Sequence, residues 1–186
     1  VKYSFRVTYD GATQQKSNVQ IAEAATDVVT FQTGAIILHY AGGTLSYHSS
    51  GWKAYTGALE MLPVKTQFRL QRSGWPNGQF YITPVEGQVY EKTIAVLRLV
   101  DSSGKKGIAG GTASYYESGW KTLGNTGDNG IYLAMLDGNK AKSMTFKMEL
   151  GGGSNQKSQN LANDSFVLFQ TKQVTFTLLD STGKKL

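Results

Sequence analysis

The sequence of this chain repeats itself, and the repeat constrains the fold more than any other feature of its 186 residues. The matching segments are GGTLSYHSSGWK (42–53) with GGTASYYESGWK (110–121), LVDSSGKK (99–106) with LLDSTGKK (178–185), SFRVTYDGATQQKSN (4–18) with TFKMELGGGSNQKSQ (145–159), and VVTFQT (28–33) with FVLFQT (166–171). The last two pairs are offset by about twice as many residues as the first two. The period is therefore about 70–80 residues, and the chain holds about two and a half units.

One unit is complete, from about Thr93 to Thr171. The unit before it, at 34–92, is shortened, because it has only GAIILHYA where the DSSGKK hairpin of the complete unit should be. Residues 1–33 match only the later strands of a unit, and residues 172–186 match only its first strand and turn. We therefore expect the two leftover segments to be complementary parts of one repeat.

The side-chain pattern inside the units is that of β-strands. In the first strand Tyr3, Phe5 and Val7 alternate with polar residues, which is the two-residue period of a strand with one buried face. The chain contains 22 Gly and only 3 Pro, which favours short strands joined by glycine turns. Only residues 21–27 have the composition of a helical turn, so the sequence predicts an all-β fold.

Composition and spacing exclude several classes of function. The net charge of +6 is scattered without a run of like charges, which indicates a solvated cationic surface and no nucleic-acid partner. The absence of Cys excludes disulfides and thiolate metal sites, and no apolar run reaches the ~18 residues of a membrane-inserted helix. His39 and His48 do not have metal-ligand spacing, and NTGDNG (125–130) lacks the alternating Asp residues of a calcium loop. We expect no enzyme activity, no catalytic or metal-binding residue and no cofactor.

The order of motifs resembles that of known β-sandwich domains. A strand, DSSGKK, GGTASYY, TGDNG and MTFKMEL follow one another as in CnaB-like and carboxypeptidase-regulatory-like domains of prealbumin type. The SGWK, FQT and QKSQN elements, together with LEMLPVKTQFRL, are similar to tandem repeats of large bacterial surface proteins. The Lys–Asn isopeptide bond of some such domains is not expected, because Arg98 stands in the first strand and no Lys lies between Thr93 and Gly104.

The resemblance implies two tandem Ig-like antiparallel β-sandwiches. Residues 1–91 would form one sandwich from the partial and the shortened repeat. Residues 92–186 would form the second, from the complete repeat and an extra C-terminal strand. It also implies an extracellular or cell-surface location.

The leftover strands offer apolar residues for strand exchange or assembly: Val174, Phe176 and Leu178 near the C-terminus, and Tyr3, Phe5 and Val7 near the N-terminus. A sandwich that lacks a strand exposes apolar side chains and unpaired backbone groups. Three arrangements resolve this. The leftovers fold back onto neighbouring units, which we favour; or the tail of one copy completes the head of the next; or the chain is a cut piece of a longer array.

Three tryptophans offer an alternative kind of site. Trp52 and Trp120 occupy equivalent places in two units, and Trp75 lies in a third SGW. Exposed indoles would suit stacking on sugar rings. We favour packing in a core or between units, because every copy of a repeat must solve the same packing problem.

These features together predict a non-catalytic structural or adhesive repeat module of an exported bacterial surface or extracellular protein, with head-to-tail self-assembly by β-strand addition as one of the arrangements left open. Its partners would be neighbouring repeats or other copies of itself. The alternative is a carbohydrate-binding module that uses Trp52, Trp75 and Trp120 and has glycans as partners.

Overall fold

The computed structural model describes residues 1–22 and 28–185, and every regular element in those ranges is a β-strand. In chain order the strands are β1 (Lys2–Tyr9), β2 (Ala12–Gln20), β3 (Gly34–His39), β4 (Thr44–His48), β5 (Trp52–Ala54), β6 (Leu59–Met61), β7 (Thr66–Gln71), β8 (Gly78–Ile82), β9 (Val89–Val100), β10 (Thr112–Tyr116), β11 (Trp120–Asn125), β12 (Ile131–Asp137), β13 (Ser143–Leu150), β14 (Gly153–Asn160) and β15 (Phe166–Gln170). The prediction of an all-β fold is confirmed. Most of the helical turn expected at 21–27 lies outside the described residues.

Two four-stranded sheets have the same strand order, and their first three strands have the same register. One is β5-β4-β7-β8 and the other is β11-β10-β13-β14, and both are antiparallel. Tyr47 lies opposite Phe68 in the first sheet, and Tyr115 lies opposite Phe146 in the second. The alignment of 42–53 with 110–121 is therefore confirmed at the level of strand pairing.

A third, mixed sheet lies between these two outer sheets, in the order β12-β9-β3-β6 with β15 also paired to β9. One edge of β9 pairs antiparallel with β12. Its other edge pairs in parallel with β3 over Val89–Thr93 and then in parallel with β15 over Val96–Val100. These parallel pairs differ from the all-antiparallel expectation. They arise because the chain crosses through a whole outer sheet before it returns, and such long connections join parallel strands.

Two cores lie on opposite faces of the middle sheet, and β9 supplies both. Ile94 and Val96 point into the core beneath β5-β4-β7-β8, whereas Ala95, Leu97 and Leu99 point into the core beneath β11-β10-β13-β14. Burial on both faces explains why residues 94–97 of β9 are all apolar and do not alternate with polar residues. The division predicted between residues 91 and 92 falls inside this strand, and it stays a prediction about separate folding units.

The first two strands form a separate two-stranded sheet, the open hairpin (β1 and β2). Its register reproduces that of β13 and β14, since Phe5 faces Lys16 as Phe146 faces Lys157. Residues 28–33, called the lead-in segment, run directly into β3. In the same way the first half of β9, which pairs with β3, runs directly into its second half, which pairs with β15. The open hairpin and the lead-in segment therefore correspond to β13, β14 and β15 of the complete unit.

Candidate functional site

The most exposed apolar side chains belong to the tail strand (residues 173–179). Phe176 is 91% exposed, Leu178 is 72% exposed and Val174 is 67% exposed. Residues 173–178 form no strand pair with any described residue; only Leu179 makes an isolated bridge, to Lys185. The site residues predicted at the C-terminal end thus lie together on one unpaired strand.

The turn after the tail strand is held by the same kind of hydrogen bonds, to an aspartate carboxylate, as the turn after β9. The carboxylate of Asp101 accepts hydrogen bonds from the Ser103 hydroxyl and from the backbone N–H of Lys105 and Lys106, at 2.7, 3.1 and 3.2 Å. The carboxylate of Asp180 accepts from the hydroxyl and N–H of Thr182 and from the N–H of Lys184. In both turns these donors hold the aspartate pKa below its usual value. The local sequence therefore forms the β9-type turn even where no sandwich surrounds the strand.

The favoured expectation, that the C-terminal strand folds back onto its own neighbouring unit, is wrong for this segment. The tail strand aligns with β9 through the matching LVDSSGKK and LLDSTGKK motifs. The place of a β9-type strand in the second core is taken by β9 itself, which β12, β3 and β15 flank on both edges. The tail strand has no equivalent place left in its own unit.

The predicted N-terminal residues lie on the open hairpin and are far less buried than their equivalents in β13. Tyr3 is 46% exposed, and Phe5 and Val7 are half-buried. The equivalent side chains, Met144, Phe146 and Met148, are all buried. The equivalent edge of β13 pairs with β10, but no described strand pairs with that edge of β1.

Polar contacts fix the tip of the open hairpin to the β4–β5 turn. The Asp10 carboxylate accepts hydrogen bonds from the Lys53 ammonium group and from the Tyr47 hydroxyl, the latter at 3.2 Å, and the Asp10 carbonyl accepts from the Ser49 hydroxyl. The Lys53 hydrogen bond is the main reason why the pKa of Asp10 lies below its usual value. The hairpin is thus positioned by ionic contacts at its tip.

A second contact joins the open hairpin to the lead-in segment. The Lys16 ammonium group donates to the Thr30 carbonyl at 2.6 Å and to the Glu86 carboxylate at 3.3 Å, and it lies 5.3 Å from the centre of the Phe31 ring. Lys157 lies over Phe169 in the same way, at 5.9 Å. The hairpin therefore covers the lead-in segment as β14 covers β15.

The lead-in segment has both bonded and unbonded backbone groups. The Thr30 carbonyl and the Gln32 N–H bond to Lys16 and Glu86 on one edge, and the Thr33 carbonyl bonds to Gly87 at the end of the other edge. On this second edge the backbone groups of Val29 and Phe31 have no partner among the described residues. The sequence interpretation did not single out this segment as a site, although the match of VVTFQT with FVLFQT contained the signal.

Trp52 lies on the outer face of its sheet and in neither core. It is 38% exposed, packs edge-on against His48 across β4 and β5 with ring centres 5.5 Å apart, and carries the Arg69 guanidinium 4.1 Å from its ring centre. One face of the indole is thus occupied by a cation.

Trp120 has equivalent surroundings in the second outer sheet. It is 39% exposed, packs edge-on against Tyr116 at 5.5 Å, and has the Lys147 ammonium group 4.9 Å from its ring centre. The expectation that these repeated indoles pack in a core or between units is wrong for both. The Ser-Gly turn places each indole across from an outward-facing residue of the preceding strand.

Trp75 differs from the other two, because it is half-buried and belongs to the first core. It packs edge-on against Phe166 with ring centres 5.0 Å apart, and the guanidinium groups of Arg72 and Arg98 lie 5.7 and 5.5 Å from its ring centre. The three tryptophans do not form one surface, and their role in glycan stacking stays a prediction.

The two histidines lie apart and make different contacts. His39 contacts Glu91 at 2.8 Å, and His48 packs on Trp52. Within residues 1–22 and 28–185 no cluster of three or more His, Cys, Asp or Glu side chains has the geometry to hold a metal ion. The same residues include no helix with the length and apolarity needed to span a membrane.

No protein-family model and no curated protein matches the sequence. Solved structures that are similar include the TIE protein of Bacillus anthracis, at 13% identity and a TM-score of 0.34, over 94% of this chain. Another is the shaft pilin SpaA of Lactobacillus rhamnosus GG, solved as a double mutant, at 8% identity and a TM-score of 0.37, over 79% of this chain and 99% of the pilin. This chain spans 44% of the length of the TIE protein.

Proposed function

We propose that this chain is a non-catalytic structural module of an exported bacterial surface or extracellular protein, and that its copies assemble head to tail by β-strand addition. One observation carries the proposal: the exposed tail strand repeats β9, the strand that joins two cores within this structure. The surface location rests on the resemblance of the SGWK-type repeats to those of bacterial surface proteins.

The tail strand supports assembly because its apolar side chains alternate with polar ones and are exposed. Its three apolar side chains correspond to Ala95, Leu97 and Leu99, all buried in the second core. Burying a large apolar side chain contributes about 1.5–3 kcal/mol, and each backbone hydrogen bond contributes about 0.5–1.5 kcal/mol. An acceptor that supplies both a strand edge and an apolar layer would therefore bind this strand strongly.

The proposal is tested by measuring the mass of the protein as its concentration rises, by light scattering after size exclusion, with negative-stain microscopy of the same samples. The wild-type chain is expected to form linear assemblies. The double substitution Val174→Asp and Phe176→Asp should leave a folded monomer, because it places charges on the face that must be buried.

A matched control carries Tyr81→Asp and Tyr116→Asp, which replace two apolar side chains that are 55% and 52% exposed and lie outside the tail strand. This control should assemble as the wild type does. A wild-type chain that stays monomeric at every concentration would overturn the proposal, and so would assemblies that persist in the tail variant.

A further inference from the structure

The structure contains an internal template for how a β9-type strand is received. In the second unit β9 pairs in parallel with β15, so that Phe166 lies beside Val96 and Gln170 lies beside Val100. The lead-in segment is the counterpart of β15, and the tail strand is the counterpart of β9. The template therefore relates two segments of this chain that do not contact each other within one copy.

The template also identifies which backbone groups must be free. Along β15 the pairing begins with the Val96 N–H on the Ser165 carbonyl, at 2.8 Å, and ends with the Thr171 N–H on the Val100 carbonyl, at 3.0 Å. Between these bonds Val167 and Phe169 face β9, by the spacing of a parallel ladder. Their counterparts are Val29 and Phe31, whose backbone groups have no partner among the described residues.

We propose, on the basis of the function above, that the tail strand of one copy pairs in parallel with the lead-in segment of a second copy. The register places Thr175 beside Val28, Phe176 beside Val29, Thr177 beside Thr30 and Leu178 beside Phe31. Val174, Phe176 and Leu178 are then covered by the open hairpin of the second copy, as β13 covers Ala95, Leu97 and Leu99 of β9.

The free edge of β1 is the rival acceptor, and the template argues against it. The equivalent edge of β13 receives β10, whose sequence is TASYY, and not β9. The tail strand matches β9 and is followed by the β9-type turn. The lead-in segment is therefore the acceptor that the repeat assigns.

Cysteine cross-linking tests the register, because the chain contains no native Cys. One double variant carries Thr30→Cys and Thr177→Cys, which are side by side in the proposed pair and within the reach of a disulfide. The matched control carries Thr8→Cys and Thr177→Cys and reports pairing at the edge of β1. All three threonines are exposed, and circular dichroism checks that both variants keep the strand content of the wild type.

Mild oxidation should turn the Thr30/Thr177 variant into a covalent ladder on non-reducing gels and leave the control monomeric. A ladder from the control alone would overturn the register but leave head-to-tail assembly standing. A cross-linked monomer of altered mobility would show pairing within one chain and overturn the inference. Absence of a ladder from the Thr30/Thr177 variant would also overturn the inference, and the light-scattering experiment shows independently whether assembly itself fails.

Discussion

The open hairpin and the β13–β14 hairpin have the same register and similar sequences, yet their surroundings are opposite. Phe146 is buried completely, whereas Phe5 at the equivalent position is only half-buried. The same holds for β9 and the tail strand, since Leu97 is buried completely and Phe176 is 91% exposed. Local sequence therefore determines the hairpin register and the turn in each copy. Whether an apolar side chain is buried depends on which neighbouring strands are present around it.

The largest expected difference between the two hairpins concerns their central phenylalanines. Phe146→Ala should lower the free energy of unfolding by about 3–5 kcal/mol, because it opens a cavity in a closed core. Phe5→Ala should lower it by about 1 kcal/mol or less, because this side chain is already partly in water. Urea unfolding at a concentration where the protein is monomeric measures both values. Equal losses would show that the open hairpin is as closed as its counterpart.

A smaller expected effect concerns a feature that the two outer sheets share, the cation over an exposed indole. Arg69→Ala and Lys147→Ala each remove the cation over an indole, Trp52 in one sheet and Trp120 in the other. Each substitution should cost about 0.5–1 kcal/mol, since a cation over an exposed aromatic ring contributes about that much. Urea unfolding followed by tryptophan fluorescence measures the loss. A cost confined to one sheet would contradict their equivalence.

The smallest expected effect is a difference in pH dependence between the tip of the open hairpin and the tip of the β13–β14 hairpin. The pKa of Asp10 is lowered in the folded chain, so the stabilisation it provides is present above the unfolded value of about 3.9 and is lost as pH falls through the folded pKa. The tip of the other hairpin, Gly151 and Gly152, has no titrating group. In NMR spectra the amide of Gly11 should therefore shift with acid below about pH 4, while that of Gly152 should not. Asp10→Asn should abolish the shift, and matching shifts at both tips would refute this assignment.

The repeated motifs were sufficient to predict much of the fold. GGTLSYHSSGWK and GGTASYYESGWK predicted two equivalent hairpins, and both turns place Ser and Gly at positive φ: Ser50 at 51° and Ser118 at 55°, with Gly51 at 136° and Gly119 at 145°. A serine followed by a glycine in this conformation fixes a tight turn from local residues alone. Strand type and register followed for the same reason.

Features that depend on how the sheets pack and which strand edges pair were not predictable from the repeat. The apolar run at residues 94–97 of β9 indicates burial on both faces, but it does not say that two different outer sheets bury it. The outward position of Trp52 was available in principle, because Leu45 and Tyr47 face the core and the alternation then places His48 and its partner outward. The lead-in segment was overlooked because its importance comes from unbonded backbone groups, which have no signature in side-chain pattern.

The way β9 belongs to both cores has a consequence for how the molecule carries load. A pull on one unit reaches the next through an unbroken extended backbone, flanked by rows of hydrogen bonds that must shear together and cannot open one at a time. Because β9 is one unbroken strand from Val89 to Val100, no loop interrupts this strand between the two cores. A joint of this kind would resist extension along the strand.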